Sequence, residues 1–158
     1  MKVTIIGHRK IQKTEKLIKK LTKVITELVE KENADTFLFG SRSEFDNLCY
    51  DIVTELRYKH VYINRILVRD SYQYIDFHYT NYLLKYYEDT LYPPRVQGAG
   101  ALCSILRNEV MIDMCDVMLT YYDVNYTPTT KTQSGTKLAV KYARRKRKRL
   151  INFFEKNR

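Results

Sequence analysis

Val3-Thr4-Ile5-Ile6-Gly7-His8-Arg9 and Thr36-Phe37-Leu38-Phe39-Gly40-Ser41, with one helix between them, decide the fold. Each is a short apolar run closed by a glycine turn, the pattern of a strand buried on both faces. Between them Leu17, Ile18, Leu21, Val24, Ile25, Leu28 and Val29 recur at three- and four-residue spacing with lysines in the gaps, which predicts an amphipathic helix. Thr14 is placed to cap its start, and Asn33-Ala34-Asp35 breaks it.

The same alternation continues along the chain. Phe45, Leu48, Cys49, Ile52, Val53 and Leu56 predict a second helix. Ser43-x-x-Asp46 at its start resembles a capping box with Asp in place of Glu. Ile66 to Val68 is a third strand. Residues 71–100 form a tyrosine-rich excursion, with Tyr72, Tyr74, Tyr79, Tyr82, Tyr86, Tyr87 and Tyr92 before Pro93-Pro94; a helix is expected over Tyr79 to Asp89 and irregular chain elsewhere. A helix from Ala101 to about Met114, a fourth strand over Val117 to Tyr122, a polar loop from Asn125 to Gln133, a helix opening at Ser134-Gly135-Thr136 and a fifth strand over Leu150 to Phe154 complete the reading. Strands alternating with helices imply an α/β domain, a mainly parallel five-stranded sheet with helices on both faces, in a Rossmann-like winding.

Length and composition agree with one such domain spanning 1–158. The chain has 44% hydrophobic and 29% charged residues, a globular composition large enough for a real core. No apolar run approaches the ~18 residues of a membrane span, so no membrane partner is expected. The apolar run at the N-terminus is too short for a signal-peptide core, and a cytoplasmic location is expected. Cys49, Cys103 and Cys115 form no pair with disulfide-framework or metal spacing. They are read as free, mostly buried thiols, and no metal or cofactor is expected.

In parallel sheets of this kind ligands bind beyond the carboxyl ends of the strands, which directs attention to the turns. Gly7-His8-Arg9 follows the first strand, Gly40-Ser41-Arg42-Ser43-Glu44 the second, and Ser134-Gly135-Thr136 opens the last helix. Small residues allow close backbone approach, and a helix N-terminus suits phosphate. The same residues also make ordinary tight turns and caps. Neither turn is a Walker loop or GxGxxG. Arg107 and Asn108 sit where they reach a ligand edge or, the favoured reading from spacing alone, a solvated helix face. His8 is a candidate acid, base or phosphate contact, or an ordinary hydrogen-bonded loop histidine.

Four segments, in order, resemble the superfamily that joins DprA/Smf proteins, the cytokinin-activating Lonely Guy proteins and YpsA-like proteins, known together as SLOG. They are Ile5-Ile6-Gly7-His8-Arg9; Phe37-Leu38-Phe39-Gly40-Ser41-Arg42-Ser43-Glu44-Phe45-Asp46; Arg107-Asn108-Glu109-Val110-Met111-Ile112-Asp113 with Cys115-Asp116 and Tyr121-Tyr122-Asp123; and Ser134-Gly135-Thr136-Lys137-Leu138-Ala139-Val140-Lys141-Tyr142-Ala143. They most resemble the YpsA-like branch. The resemblance implies a ligand-binding protein or sensor whose nucleotide-derived small molecule lies over Gly7, Gly40, Ser41, Ser134, Gly135 and Thr136. His8, Arg9, Arg107 and Asn108 would contact the ligand, Tyr122 would wall the base, and a homodimer is a possible assembly. The alternative it implies is an N-glycosidase acting on nucleoside monophosphates. There Glu44 is the candidate catalytic carboxylate, because the helix position at which Lonely Guy enzymes carry Glu is Ala139 here.

Net charge offers a third reading. The chain carries 28 Lys+Arg and 18 Asp+Glu, a net +10, but Arg144 to Arg149 is an unbroken run of six cations. Setting the run aside leaves 22 cations against 18 anions. Such a run with many tyrosines suits single-stranded nucleic acid. At a helix end it also opposes the helix dipole. The second use is favoured, and nucleic acid is kept as the weaker alternative.

Overall fold

The structure, a computed structural model, describes residues 1–40, 43–71, 83–126 and 134–156. Its order is β1 (Lys2–Ile5), α1 (Glu15–Glu32), β2 (Thr36–Phe39), α2 (Glu44–Lys59), β3 (Asn64–Val68), β4 (Asp89–Leu91), a 3-10 turn (Gly100–Leu102), α3 (Cys103–Met114), β5 (Val117–Thr120), α4 (Gly135–Arg145) and β6 (Arg149–Asn152). The six strands form one sheet in the order β4-β3-β2-β1-β5-β6, and every pair is parallel. The α/β class and Rossmann-like layering are as expected; the described residues form six strands, not the five expected.

Alternation along the strands builds two apolar layers. Val3, Ile5, Phe37, Phe39, Val117 and Leu119 face α1 and α2, packing with Leu21, Ile25, Phe45 and Cys49. Leu38 and Met118 face α3 and α4, with Met111, Ile112, Ala139 and Val140. Thr4 also points to that second layer and satisfies its buried hydroxyl by donating to the Met111 carbonyl at 2.8 Å.

The helix boundaries follow their caps. Thr14 Oγ1 accepts the Leu17 N–H, and Asn33 ends α1 in the left-handed region at φ 60°, which Asn tolerates. Ser43 Oγ accepts the Asp46 N–H at 3.0 Å and donates to the Asp46 carboxylate at 3.1 Å. Asp thus closes the box through the cap hydroxyl, being too short to act as Glu does.

The excursion holds the missed strand. Asp89, where a helix was expected to end, begins β4 instead, and residues 84–86 form a turn; residues 79–82 lie outside the described residues. The Glu88 carboxylate accepts from the Arg65 backbone N–H at 3.0 Å, from Arg65 Nε at 2.9 Å and Nη2 at 2.7 Å, and pairs with Arg57 Nε at 2.9 Å. This clamp registers β4 on β3. Tyr50 meets Phe39 edge-on and Tyr87 lies tilted beside it, with centroids 5.6 and 6.2 Å away, so these tyrosines serve packing.

The helix expected from Ala101 begins as the 3-10 turn and becomes α-helical at Cys103. Cys49 and Cys115 are buried, Cys103 is half-buried, and all three are free. No helix among the described residues is long and apolar enough to cross a membrane.

Candidate functional site

Connections leave β1 toward β2 on one side, while β5 and β6 lie on the other. The switch point is therefore between β1 and β5, where a crevice opens beyond the strand ends. Pairing continues past both strands: Ile6 N–H donates to the Leu119 carbonyl at 3.1 Å and His8 N–H to the Tyr121 carbonyl at 3.2 Å. His8 is carried to the crevice floor, with only 2% of its surface exposed.

The hydrogen bonds of His8 define its state. The Asp123 backbone N–H donates to His8 Nε2 at 2.9 Å, so Nε2 carries no proton and the neutral ring holds its proton on Nδ1. His8 Nδ1 is buried and has no hydrogen-bond partner among the described residues. Burial pushes the imidazole pKa below the ordinary value; hydrogen bonding with the Asp123 backbone and then the Asp123 carboxylate oppose this more weakly. The Tyr126 ring stacks on the imidazole at 4.0 Å and 18°, and Tyr121 meets it edge-on at 6.3 Å.

His8, Lys10, Gln12, Tyr121, Asp123 and Tyr126 line a cavity of about 370 Å³. It shares Gln12, Tyr121 and Glu155 with a larger groove of about 730 Å³ that continues along Lys16, Lys20 and Phe153. The groove has an aromatic wall and a basic rim. Glu155 holds Lys16 and Lys20 at 2.8 and 3.1 Å, and this pairing draws its carboxyl below the usual range. Arg9 and Lys10 are exposed beside the cavity.

The other candidates fall into separate places on the same edge. A Cβ on Gly7 would meet the Phe45 ring at 2.4 Å, and one on Gly40 would meet Met111 Sδ at 2.6 Å and Arg107 Nε at 2.8 Å. Both glycines are thus filled against by side chains. Arg107 is buried, so the solvated helix face favoured from spacing is corrected: its Nη1 binds Asp70 Oδ2 at 2.7 Å, which also accepts Ser104 Oγ at 2.8 Å. Asn108 lines a cavity of about 190 Å³ together with Gly135. Ser134 caps α4, its hydroxyl accepting from Lys137 N–H at 3.4 Å, and Thr136 is buried. A Cβ on Gly135 would meet nothing within 4 Å. The Tyr122 side chain is buried in the α3–α4 layer, and its backbone N–H and carbonyl are both held by the Asn152 amide at 3.0 Å. Ser41 lies outside the described residues.

Glu44 has a fastening task. Its Oε2 accepts the Ile11 N–H at 2.8 Å, and its own N–H donates to the Arg9 carbonyl at 2.9 Å. It thereby holds the loop that forms the crevice rim. Ala139 is 2% exposed in the α3–α4 layer, so a carboxylate at that position would enter an apolar core.

The structure joins His8 to Asp123 and Tyr126 and to the Tyr122 ring, tilted with its centroid 5.8 Å away, Gly40 to Arg107, Glu44 to Arg9, and Asn108 to Gly135. It does not gather them in one cavity. Lys10, Gln12, Tyr121, Asp123 and Tyr126 were not named as site residues from the sequence, although Tyr121 and Asp123 belong to the third resembling segment. The strand-end rule contained a signal for two of them, since Lys10 and Asp123 lie within five residues beyond the ends of β1 and β5. No protein-family model matches the chain, and no curated protein matches it.

Proposed function

We propose that the chain binds a nucleotide-derived, phosphate-bearing small molecule in the crevice beyond β1 and β5. The observation that carries this reading is the groove at the switch point, where a buried histidine, aromatic rings and cations converge. The half-buried Tyr126 and Phe154, which line the cavity, offer faces for a planar base, and Lys10 with the neighbouring Arg9 offers charge to phosphate. The resemblance of four ordered segments to SLOG proteins points to the same ligand class.

Binding is preferred to N-glycosidic hydrolysis on geometric grounds. Hydrolysis needs a carboxylate free to face the ribose. Glu44, whose Oε2 accepts the Ile11 N–H, does not line either part of the crevice, and the alternative helix position is the buried Ala139.

Thermal unfolding with a panel of nucleoside mono-, di- and triphosphates and nucleotide sugars tests the reading. A ligand at a hundred times its Kd stabilises the fold by about 2.7 kcal/mol, which raises Tm by roughly 5–10 °C for a chain of this size. No shift from any of them at millimolar concentration would refute the proposal. Free base released on incubation with nucleoside monophosphates, and abolished in Glu44→Ala, would favour the hydrolase instead.

A further inference from the structure

The crevice contains one polar group whose chemistry is fixed in advance. Asp123 N–H occupies His8 Nε2, which leaves Nδ1–H as a donor that cannot exchange roles without breaking that bond. His8 is 2% exposed and its Nδ1 has no partner among the described residues. Buried donors without partners are rare because each carries a desolvation cost. This one lines a cavity and lies under Tyr126, a half-buried ring on a turn closed by Tyr126 N–H to the Asp123 carbonyl at 3.0 Å.

We propose that His8 determines ligand specificity: its Nδ1–H receives an acceptor oxygen of the ligand, phosphoryl or carbonyl, and disfavours any ligand presenting an N–H or O–H at that point. This assignment rests on the nucleotide-binding reading above. Donor facing donor leaves both groups unsatisfied, which discriminates more strongly than a missing apolar contact. Lys10, which lines the cavity, and the exposed Arg9 next to it in sequence favour a phosphoryl oxygen over a carbonyl.

The two amide replacements separate the roles of the ring nitrogens. His8→Gln places an oxygen where Nε2 accepts from Asp123 and removes the Nδ1 donor. His8→Asn keeps a donor near Nδ1 and gives up the Asp123 bond. The expected result, by calorimetric titration of the nucleotides that bind the wild type, is a loss of about ten-fold or more in affinity for His8→Gln. His8→Asn should keep affinity within about three-fold while unfolding at lower temperature. Titration with inorganic phosphate and with unphosphorylated nucleosides distinguishes the phosphoryl from the carbonyl source.

Nitrogen NMR of the wild-type ring provides a readout independent of either variant. The free protein should show the Nδ1–H tautomer, and the bound ligand should move the Nδ1 resonance. An Nε2–H tautomer overturns the assignment. So does nucleotide binding that leaves the Nδ1 resonance and the His8→Gln affinity unchanged, in which case the binding reading survives alone. Absence of binding by every probe overturns both.

Discussion

Gly7→Ala separates two meanings of a glycine at a strand end: room for a ligand, or room for the protein's own core. The added Cβ would lie 2.4 Å from Phe45 Cδ2, 2.6 Å from Cγ and 2.8 Å from Cβ. Carbon atoms prefer about 3.5–4.0 Å, so the overlap exceeds ~1 Å. A flexible side-chain tip could turn aside, but Phe45 Cβ is fixed to the first turn of α2, and Phe45 is fully buried. Gly7 is not among the positive-φ glycines, which are Gly98 and Gly100, so backbone strain adds nothing. The cost is overpacking, about 1–3 kcal/mol, or roughly 2–10 °C in Tm. Urea unfolding should show a lower midpoint with unchanged slope.

A double-mutant cycle sharpens the test. Phe45→Leu alone loses part of the ~3–5 kcal/mol that full truncation of a buried Phe costs. Combined with Gly7→Ala it should recover on the order of 1 kcal/mol relative to additivity, because the new methyl enters space the ring has left. A Gly7→Ala protein as stable as wild type but defective in nucleotide binding would refute this reasoning. It would return Gly7 to the role of a phosphate-approach residue.

Four further outcomes are expected. His8, held below the ordinary value of 6.5 by burial, binds a proton more readily in the unfolded chain; its stabilising share is therefore complete above that pH and lost as pH falls from 6.5 toward the lowered folded value. The slope is at most about 1.4 kcal/mol per pH unit. Urea unfolding from pH 5 to 7.5 should show this component in wild type and not in His8→Gln, with Asp123, Tyr121, Tyr122 and Tyr126 around the ring unchanged. Glu88→Gln leaves the buried Arg65 charge without its anion and should cost about 3 kcal/mol, read as a shift in urea midpoint. Glu44→Ala should cost about 1 kcal/mol and speed hydrogen exchange at the Ile11 amide; unchanged exchange would mean that the 9–11 loop is held by other contacts. Replacing exposed Arg144 and Arg147 with Ser should leave nucleotide affinity unchanged, as measured by titration.

What was legible in the sequence is what repeats over short distances. The apolar period of α1 and its Thr14 cap, the runs of β1 and β2, and the Ser43 cap all depend on residues within a few positions of one another. β4 was not legible because Asp89-Thr90-Leu91 has no apolar alternation. Its pairing comes from backbone bonds to β3 and from Glu88 reaching Arg65, 23 residues earlier in the chain. Arg107 looked solvated because its partner Asp70 is 37 positions away. The same limit applies to the crevice. The strand-end rule found His8, but its tautomer depends on Asp123, 115 positions later, and the packing role of Gly7 depends on Phe45 across the sheet.

The location of charge follows from the same geometry and decides how the net +10 should be used. Arg144 and Arg145 end α4, and Arg149 begins β6, so the basic run lies at the amino edge of the sheet. Several of its members are occupied there. Lys148 Nζ donates to the Cys115 carbonyl at 2.8 Å and to the Asp113 carbonyl at 3.4 Å, satisfying the end of α3. Arg149 pairs with Glu32 at 2.6 Å, while Arg145 and Lys146 lie over the Tyr142 ring at 5.0 and 5.4 Å. The crevice is at the carboxyl edge, a strand length away, and a four-residue strand spans roughly 10–13 Å. That exceeds the ~8 Å screening length at physiological salt, so the run contributes little field at the groove. Salt sensitivity of nucleotide binding must then originate in Arg9, Lys10 and the lysines along the groove. A salt slope that disappeared in an Arg144→Ser/Arg147→Ser variant, with Arg9 and Lys10 intact, would place the ligand on the opposite edge of the sheet.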